Sequence, residues 1–160
     1  MMPPARDRFF EDYHPGAAGE YGPITIDESE ILEFGRRYDP QYLHVDRERA
    51  DRGLYGGLIA SGWQTMATAM RLFVDNFLPD GASLGSPGVD ELRWLRPVRP
   101  GDALRLRVTV VSTRVSKTKP DRGLVETSLE IVNQADEVVA TMRAVNFIKR
   151  RPSNPSTGSG

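Results

Sequence analysis

Two residues with side chains suited to acid–base chemistry lie close together in the sequence. Asp39 and His44 are the first and last residues of the segment DPQYLH. A carboxylate and an imidazole on one short segment can both reach a single water molecule, and imidazole exchanges protons near neutral pH. The pair therefore fits the addition of water to a carbon chain, or its removal. The structural alternative is an aspartate that caps nearby N–H groups, with a histidine packed beside it.

Gly62 is a second candidate, within the segment GLIASGW at residues 57–63. A glycine inside a strongly helical pattern costs about 1 kcal/mol relative to alanine, so it needs an explanation. In the first turn of a helix its N–H would lack an intrahelical acceptor, and the missing Cβ would let a ligand carbonyl approach. Gly62 N–H is therefore a candidate oxyanion donor. Close packing of the helix against a strand is the structural alternative.

Local patterns predict the helices that carry these residues. Asp27 and Glu30 form a capping-box pattern before a short helix. Pro40 disfavours helical backbone at Asp39, so this helix ends just before it. Apolar residues then repeat at helical spacing from Leu58 to Leu78, which predicts a long helix inside the fold.

The remaining segments predict strands. They are expected at Ile24–Ile26, Leu92–Leu95, Leu104–Val110, Val125–Ile131 and Val138–Ile148. One strand, one long buried helix and a run of antiparallel strands predict an α+β fold, in which an antiparallel β-sheet wraps around one central helix. We expect residues 1–150 to form one domain and the tail 151–160, rich in Pro, Ser and Gly, to be disordered.

Composition disfavours several classes of function. The chain has 21 Lys and Arg against 22 Asp and Glu, a net charge of −1, which lacks the signature of a nucleic-acid-binding protein. It has no cysteine, and His14 and His44 are its only histidines, which excludes thiolate sites and a three-histidine metal site. We expect no metal. Because no apolar run fits a membrane span or a signal peptide, we expect a cytoplasmic protein without membrane or nucleic-acid partners.

Three segments resemble the MaoC-type acyl dehydratases, which include the (R)-specific enoyl-CoA hydratases. They are YDPQYLHVD at residues 38–46, GLIASGW at 57–63 and RPVRPGD at 96–102. The resemblance implies a hotdog fold over roughly residues 8–150, a homodimer or a higher assembly of dimers, and an acyl-CoA thioester substrate without a further cofactor. Asp39 and His44 match the catalytic pair, and Gly62 matches the backbone donor to the thioester oxygen. The implied reaction is the reversible hydration of a trans-2-enoyl-CoA to a (R)-3-hydroxyacyl-CoA.

The sequence departs from the family pattern beside the catalytic pair. Gln41 and Tyr42 stand where the typical hydratase has Asn-Pro, and Ser61 replaces a histidine common in the best-known hydratases. We expect Tyr42, Ser61 and Trp63 to contact the substrate. The departures leave the acid–base pair intact and bear on which acyl group fits.

Two weaker features have both a structural and a functional interpretation. Trp63, Met66 and Met70 at helical spacing indicate core packing first, with the lining of an acyl tunnel as the alternative. The basic loop Ser116–Arg122 is typical of a solvated hairpin tip, with binding of coenzyme A phosphates as the alternative.

Two other functions remain open at this stage. A hotdog thioesterase commonly takes its carboxylate from the buried helix or a facing strand, and the segment Leu58–Val74 contains no Asp or Glu, which disfavours this function. The other is a non-catalytic acyl-CoA-binding protein, or a partner subunit that lends a wall to another chain's site. The intact Asp39–His44 pair argues against it.

Overall fold

The computed structural model describes residues 2–153, which form one five-stranded antiparallel sheet and four α-helices. The strands are β1 (Ala18–Thr25), β2 (Gly88–Trp94), β3 (Ala103–Val115), β4 (Arg122–Val132) and β5 (Val138–Lys149). The helices are α1 (Glu28–Tyr38), α2 (Tyr42–Val45), α3 (Arg47–Asp51) and α4 (Gly62–Asn76). The strand order is β1-β3-β4-β5-β2, so β1 and β2 form the two edges of the sheet.

Alternation along the central strands builds the core and confirms the predicted α+β class. Leu104, Leu106, Val108 and Val110 of β3 are buried, while the residues between them are more exposed. The paired strand β4 buries Val125, Thr127, Leu129 and Ile131 in the same way. Because side chains alternate between the two faces of a strand, these residues form one apolar face, and α4 packs against it at β3 and β1.

The long helix is shorter than the apolar pattern predicts. It begins at Gly62 rather than Leu58 and ends at Asn76 rather than Leu78. The residues before it are buried but lie outside the helix, because their backbone bonds elsewhere: Ile59 N–H donates to Leu43 O (3.1 Å) and Ala60 N–H to Val98 O (2.8 Å). Ser61 then caps the helix, and its Oγ accepts from Trp63 N–H.

One face of α4 is not covered by the sheet. Ala69, Leu72 and Phe73 are buried, but Trp63, Met70 and Val74 on the other face are about half exposed. The interpretation of the whole helix as interior is therefore wrong, and core packing is wrong for Trp63 and Met70. The physical reason is that a single sheet can bury only one stripe of a helix.

The short helices position the loop that follows α1. Asp27 caps α1 by accepting from Glu30 N–H (2.8 Å), and Asp27 N–H donates back to Glu30 Oε2 (3.3 Å), so the predicted capping box is confirmed. α1 ends at Tyr38, as Pro40 predicts. Helices α2 and α3, of four and five residues, are too short to produce a recognisable period.

The first residues pack on the body of the fold. Tyr13 is buried and its hydroxyl donates to Phe77 O (2.6 Å), while the ring of Phe10 lies directly against Gly123. Arg151 N–H donates to Glu11 Oε2 (2.9 Å), which holds the start of the expected tail, and residues 154–160 lie outside the described residues. Over the described part of the chain, every helix is too short or too polar to span a membrane.

Candidate active site

Asp39 and His44 are brought together by the break between α1 and α2. Asp39 is the C-cap of α1, and its N–H donates to Gly35 O (2.8 Å). Gly35 allows α2 to pack closely on α1, because a Cβ at this position would lie 3.0 Å from His44 Cβ and 2.9 Å from Val45 Cγ1. The proline-terminated helix and the glycine contact therefore fix the separation of the two side chains.

The two side chains meet in a sheltered position. His44 Nε2 lies 3.3 Å from Asp39 Oδ2, and the side chains are 6% and 19% exposed, respectively. His44 Nδ1 lies 2.7 Å from Ile59 O. A carbonyl oxygen can only accept, so Nδ1 carries the hydrogen, and in the neutral ring Nε2 is left as an acceptor that faces the carboxylate.

Asp39 is held by two further hydrogen bonds. Gln41 Nε2 donates to Oδ1 (2.7 Å) and Ser61 Oγ donates to Oδ2 (2.7 Å). Partial burial alone would raise the pKa of the Asp39 carboxyl, but the hydrogen bonds from Gln41 and Ser61 and the nearby His44 outweigh it and hold the pKa below its ordinary value. Asp39 is therefore a carboxylate at neutral pH.

The Ser61 hydroxyl connects this carboxylate to helix α4. It donates to Asp39 and accepts from Trp63 N–H (3.3 Å), and Ser61 is fully buried. One side chain thus serves both as helix cap and as a support for the acidic residue. Ser61 thus contacts Asp39 directly, and its expected contact with the substrate stays a prediction.

A cleft of about 340 Å³ opens beside the pair. Its walls include Asp39, Gln41, His44, Gly62, Trp63 and Trp94. Gly62 is the first residue of α4, so its N–H has no intrahelical acceptor and lies at the positive end of the helix dipole. The cleft therefore combines a carboxylate, an imidazole and a helix N-terminus.

The structure explains the glycine at position 62 by packing. A Cβ there would lie 2.4 Å from Cε2 and 2.5 Å from Nε1 of Trp94, so the indole occupies the space where a side chain would start. Close packing against a strand, the structural alternative, thus accounts for the missing Cβ. The role of the N–H as an oxyanion donor stays a prediction.

The other expected contact residues separate into two groups. Trp63 lies on the cleft wall and is 60% exposed. Tyr42 instead packs against Gly53, and the guanidinium of Arg49 lies 4.8 Å from the centroid of the Tyr42 ring.

The basic loop forms the tip of the β3–β4 hairpin, where Arg122 Nε pairs with Asp121 (2.9 Å). His14 is exposed at the surface.

Three groups that contact the site residues are not predicted from the sequence motifs. Gln41 is noted only as a departure from the family pattern, the Ile59 carbonyl has no sequence signature, and Trp94 is remote in sequence from Asp39, His44 and Gly62. Gln41 lies two residues after Asp39 at the helix break, so its amide is within reach of the carboxylate. Within residues 2–153, no group of three His, Asp or Glu side chains is arranged to hold a metal ion.

Comparisons with known proteins identify the family. Residues 13–147 match the family model of the MaoC like domain. The 3-hydroxyacyl-thioester dehydratase Z of Mycobacterium tuberculosis is 28% identical over 127 residues, which cover 78% of this chain and 84% of that protein. The crystal structure of the MaoC-like dehydratase from Rhodospirillum rubrum is 39% identical, with a TM-score of 0.84, and the match covers 91% of this chain and 99% of that chain.

A more distant structure identifies the fold. A Mycobacterium tuberculosis protein described as a double hotdog fold has a TM-score of 0.73 at 18% identity, and the match covers 93% of this chain and 46% of that one. This chain thus corresponds to about half of the double fold. The sheet order, the helix packed on one face of the sheet and the family match lead to one conclusion: the chain belongs to the MaoC-like dehydratase family and has a hotdog fold.

Proposed function

We propose that this protein is an acyl-CoA hydro-lyase that reversibly hydrates a trans-2-enoyl-CoA to a (R)-3-hydroxyacyl-CoA. The observation that carries the proposal is the Asp39–His44 pair, with Oδ2 and Nε2 3.3 Å apart in a cleft at the N-terminus of α4. The carboxylate and the imidazole Nε2 are both acceptors, so one water molecule can donate a hydrogen to each. The (R) configuration comes from the family resemblance.

The proposed roles follow from the hydrogen bonds. Asp39, whose pKa is held low by Gln41 and Ser61, is a weak base and orients the water. Nε2 of His44 takes a proton from the water as its oxygen bonds to C3 of the enoyl group, and the imidazolium returns a proton to C2 on the same face. The sum is the addition of one water molecule, and dehydration follows the same steps in reverse.

Gly62 N–H would stabilise the negative charge that develops on the thioester oxygen during this addition. A backbone donor aimed at such an oxyanion contributes about 3 kcal/mol of transition-state stabilisation in comparable enzymes. The substrate supplies the coenzyme A group, and the proposed steps need only the side chains and the N–H named here.

The test is a spectrophotometric assay with crotonyl-CoA and longer enoyl-CoAs, in which hydration removes the enoyl absorbance. We expect Asp39→Asn and His44→Ala each to lower kcat by 100-fold or more, of the order found when an acid–base group is removed. Asp80→Asn and His14→Ala change an exposed aspartate and the other histidine, and both should keep wild-type rates. Full activity in either site variant would contradict the assigned roles.

The same samples separate this proposal from the alternatives. A hotdog thioesterase would release free thiol from acyl-CoA, and a thiol reagent in the assay detects it. The structure disfavours this activity, because Asp75, the carboxylate of α4, lies in its last turn and pairs with Arg71 (2.7 Å). Binding of acyl-CoA without turnover of any enoyl-CoA would support the non-catalytic binding protein instead.

A further inference from the structure

The indole of Trp94 lies against the helix terminus that forms part of the cleft. Its Cε2, Nε1 and Cδ2 atoms occupy the position that a Cβ of Gly62 would take, at distances of 2.4, 2.5 and 2.8 Å. The ring is therefore in van der Waals contact with Gly62 itself. Gly62 and Trp94 line the same cleft, so a group bound at this helix terminus shares the cleft with the ring.

A β-bulge in the edge strand directs Trp94 to this place. Val89 pairs with Ala144 and Trp94 pairs with Ala140, and both alanines are buried on the inner face of β5. Trp94 lies five positions after Val89, an odd number, so regular alternation would place the two side chains on opposite faces. The register shifts between Asp90 and Arg93, and this extra residue turns Trp94 inward.

Trp63 supports the ring from the helix side. The two indoles contact edge to face, with centroids 5.1 Å apart and planes at 81°. Both indoles line the cleft, and Trp94 is 47% exposed, so part of its ring remains open. The wall is thus an aromatic surface, formed by the edge strand on one side and by α4 on the other.

We propose that Trp94 determines which acyl groups enter the site, by limiting the acyl group to a short chain. This inference rests on the proposed function, because it takes Gly62 N–H as the point where the thioester oxygen binds. In this proposal the acyl chain runs from that carbonyl along the indole side of the cleft, which Trp94 lines. A longer or branched chain needs the volume that the indole fills.

The test uses saturated acyl-CoAs, which cannot be hydrated, so binding is measured without turnover. Each fully buried methylene normally strengthens affinity about fourfold. In wild type, titration calorimetry should show octanoyl-CoA binding within about threefold of butyryl-CoA, because the extra carbons find no room. In Trp94→Ala, the ratio of octanoyl to butyryl affinity should rise about tenfold. Trp94→Phe keeps an aromatic ring in the strand and should give a smaller rise in the same direction.

The matched control is Val89→Ala, which truncates another exposed side chain of the same edge strand and should leave the ratio unchanged. An unchanged ratio in folded Trp94→Phe and Trp94→Ala, or an equal rise in Val89→Ala, would overturn the inference. If the protein hydrates crotonyl-CoA but the ratio of octanoyl to butyryl affinity is unchanged in the Trp94 variants, the proposed function is supported and the size limit is contradicted. Shifted ratios without hydration would support the size limit and contradict the hydratase. Absence of acyl-CoA binding at any chain length would also overturn the inference.

Discussion

At the scale of single residues, the site depends on three side chains that surround the Asp39 carboxylate and affect its ionisation. Gln41 and Ser61 donate hydrogen bonds to Asp39, and these bonds, with the charged form of His44 3.3 Å away, favour the ionised carboxylate. Because the pKa of Asp39 is lower in the folded protein than in the unfolded chain, its ionisation stabilises the fold above the unfolded pKa. This contribution is lost as the pH falls through the folded pKa. Of the three, Ser61 also caps α4.

We therefore expect Ser61→Ala to have two separate effects. The pKa of Asp39 should rise, because one hydrogen bond to the carboxylate is lost, and ¹³C NMR of the carboxyl carbon measures this directly. The free energy of unfolding should fall by about 1 kcal/mol, because α4 loses its cap. Ser61→Thr keeps a hydroxyl and serves as the control. A pKa of Asp39 that is unchanged in Ser61→Ala would contradict the role given to the hydroxyl.

At the scale of elements, the edge strand β2 is the one whose local geometry carries the site. Glu91 lies within its bulge with φ of 54°, a left-handed conformation that non-glycine residues seldom adopt. Its carboxylate reaches Arg143 at 3.5 Å, but both side chains are well exposed, so this pair contributes little. The bulge is therefore retained against a local conformational cost, and it is the feature that turns Trp94 inward.

This geometry predicts that position 91 favours glycine over valine, the reverse of the order in a regular strand. Glu91→Gly should be more stable than Glu91→Val by roughly 2 kcal/mol, because glycine adopts positive φ freely and a β-branched residue does not. The same two substitutions at Glu130, in the regular strand β4, should give the opposite order, since valine favours strands and glycine weakens them. Urea denaturation measures the free energy of unfolding of all four variants. The same order of glycine and valine at both positions would contradict the strained bulge.

The sequence predicts the elements that follow a regular period and misses those set by contacts between remote segments. Alternation identifies β3, β4 and β5, and the capping box identifies α1. The strand at Leu92–Leu95 is predicted too short, because the bulge at Glu91 interrupts the alternation that would extend it to Gly88. Leu58–Ala60 continue the helical period while their N–H groups bond to other segments, so the start of α4 is misplaced.

The candidate site also divides into residues predicted within one segment and contacts between remote segments, which are not predicted. Asp39 and His44 are found because the spacing and the proline lie within one segment. Gln41 is close enough to Asp39 in sequence to be found by the same reasoning. The contact of Trp94 with Gly62 joins an edge strand to a helix start and depends on a bulge, and no local pattern encodes it.

At the scale of the whole molecule, the two sheet edges differ. Edge strand β1 contains Pro23, which lacks an N–H, and its Glu20 pairs with Arg107 (3.2 Å). Edge strand β2 exposes Val89, which lies outside the cleft that Trp94 lines. A proline and charged side chains protect an edge, whereas an open apolar edge favours pairing with another strand. We infer that β2 is the edge that a second copy of this chain covers in the expected homodimer.

Light scattering at micromolar concentration should therefore give a mass of twice 17.8 kDa, or a multiple of it. Val89→Lys places a charge on the open edge and should shift the protein toward monomer. Val115→Lys changes a similarly exposed valine at the end of β3 and should leave the mass unchanged. A wild-type monomer, or equal behaviour of the two variants, would contradict an interface at β2.

The contact between Gly62 and Trp94 also constrains how such a site can diverge. A methyl group at position 62 collides with the indole, so the glycine must persist for as long as the tryptophan does. A smaller residue at position 94 removes this collision and enlarges the cleft in the same step. A single side chain on the edge strand thus couples two changes. A smaller residue at position 94 would alter the acyl specificity and would also permit a residue other than glycine at position 62.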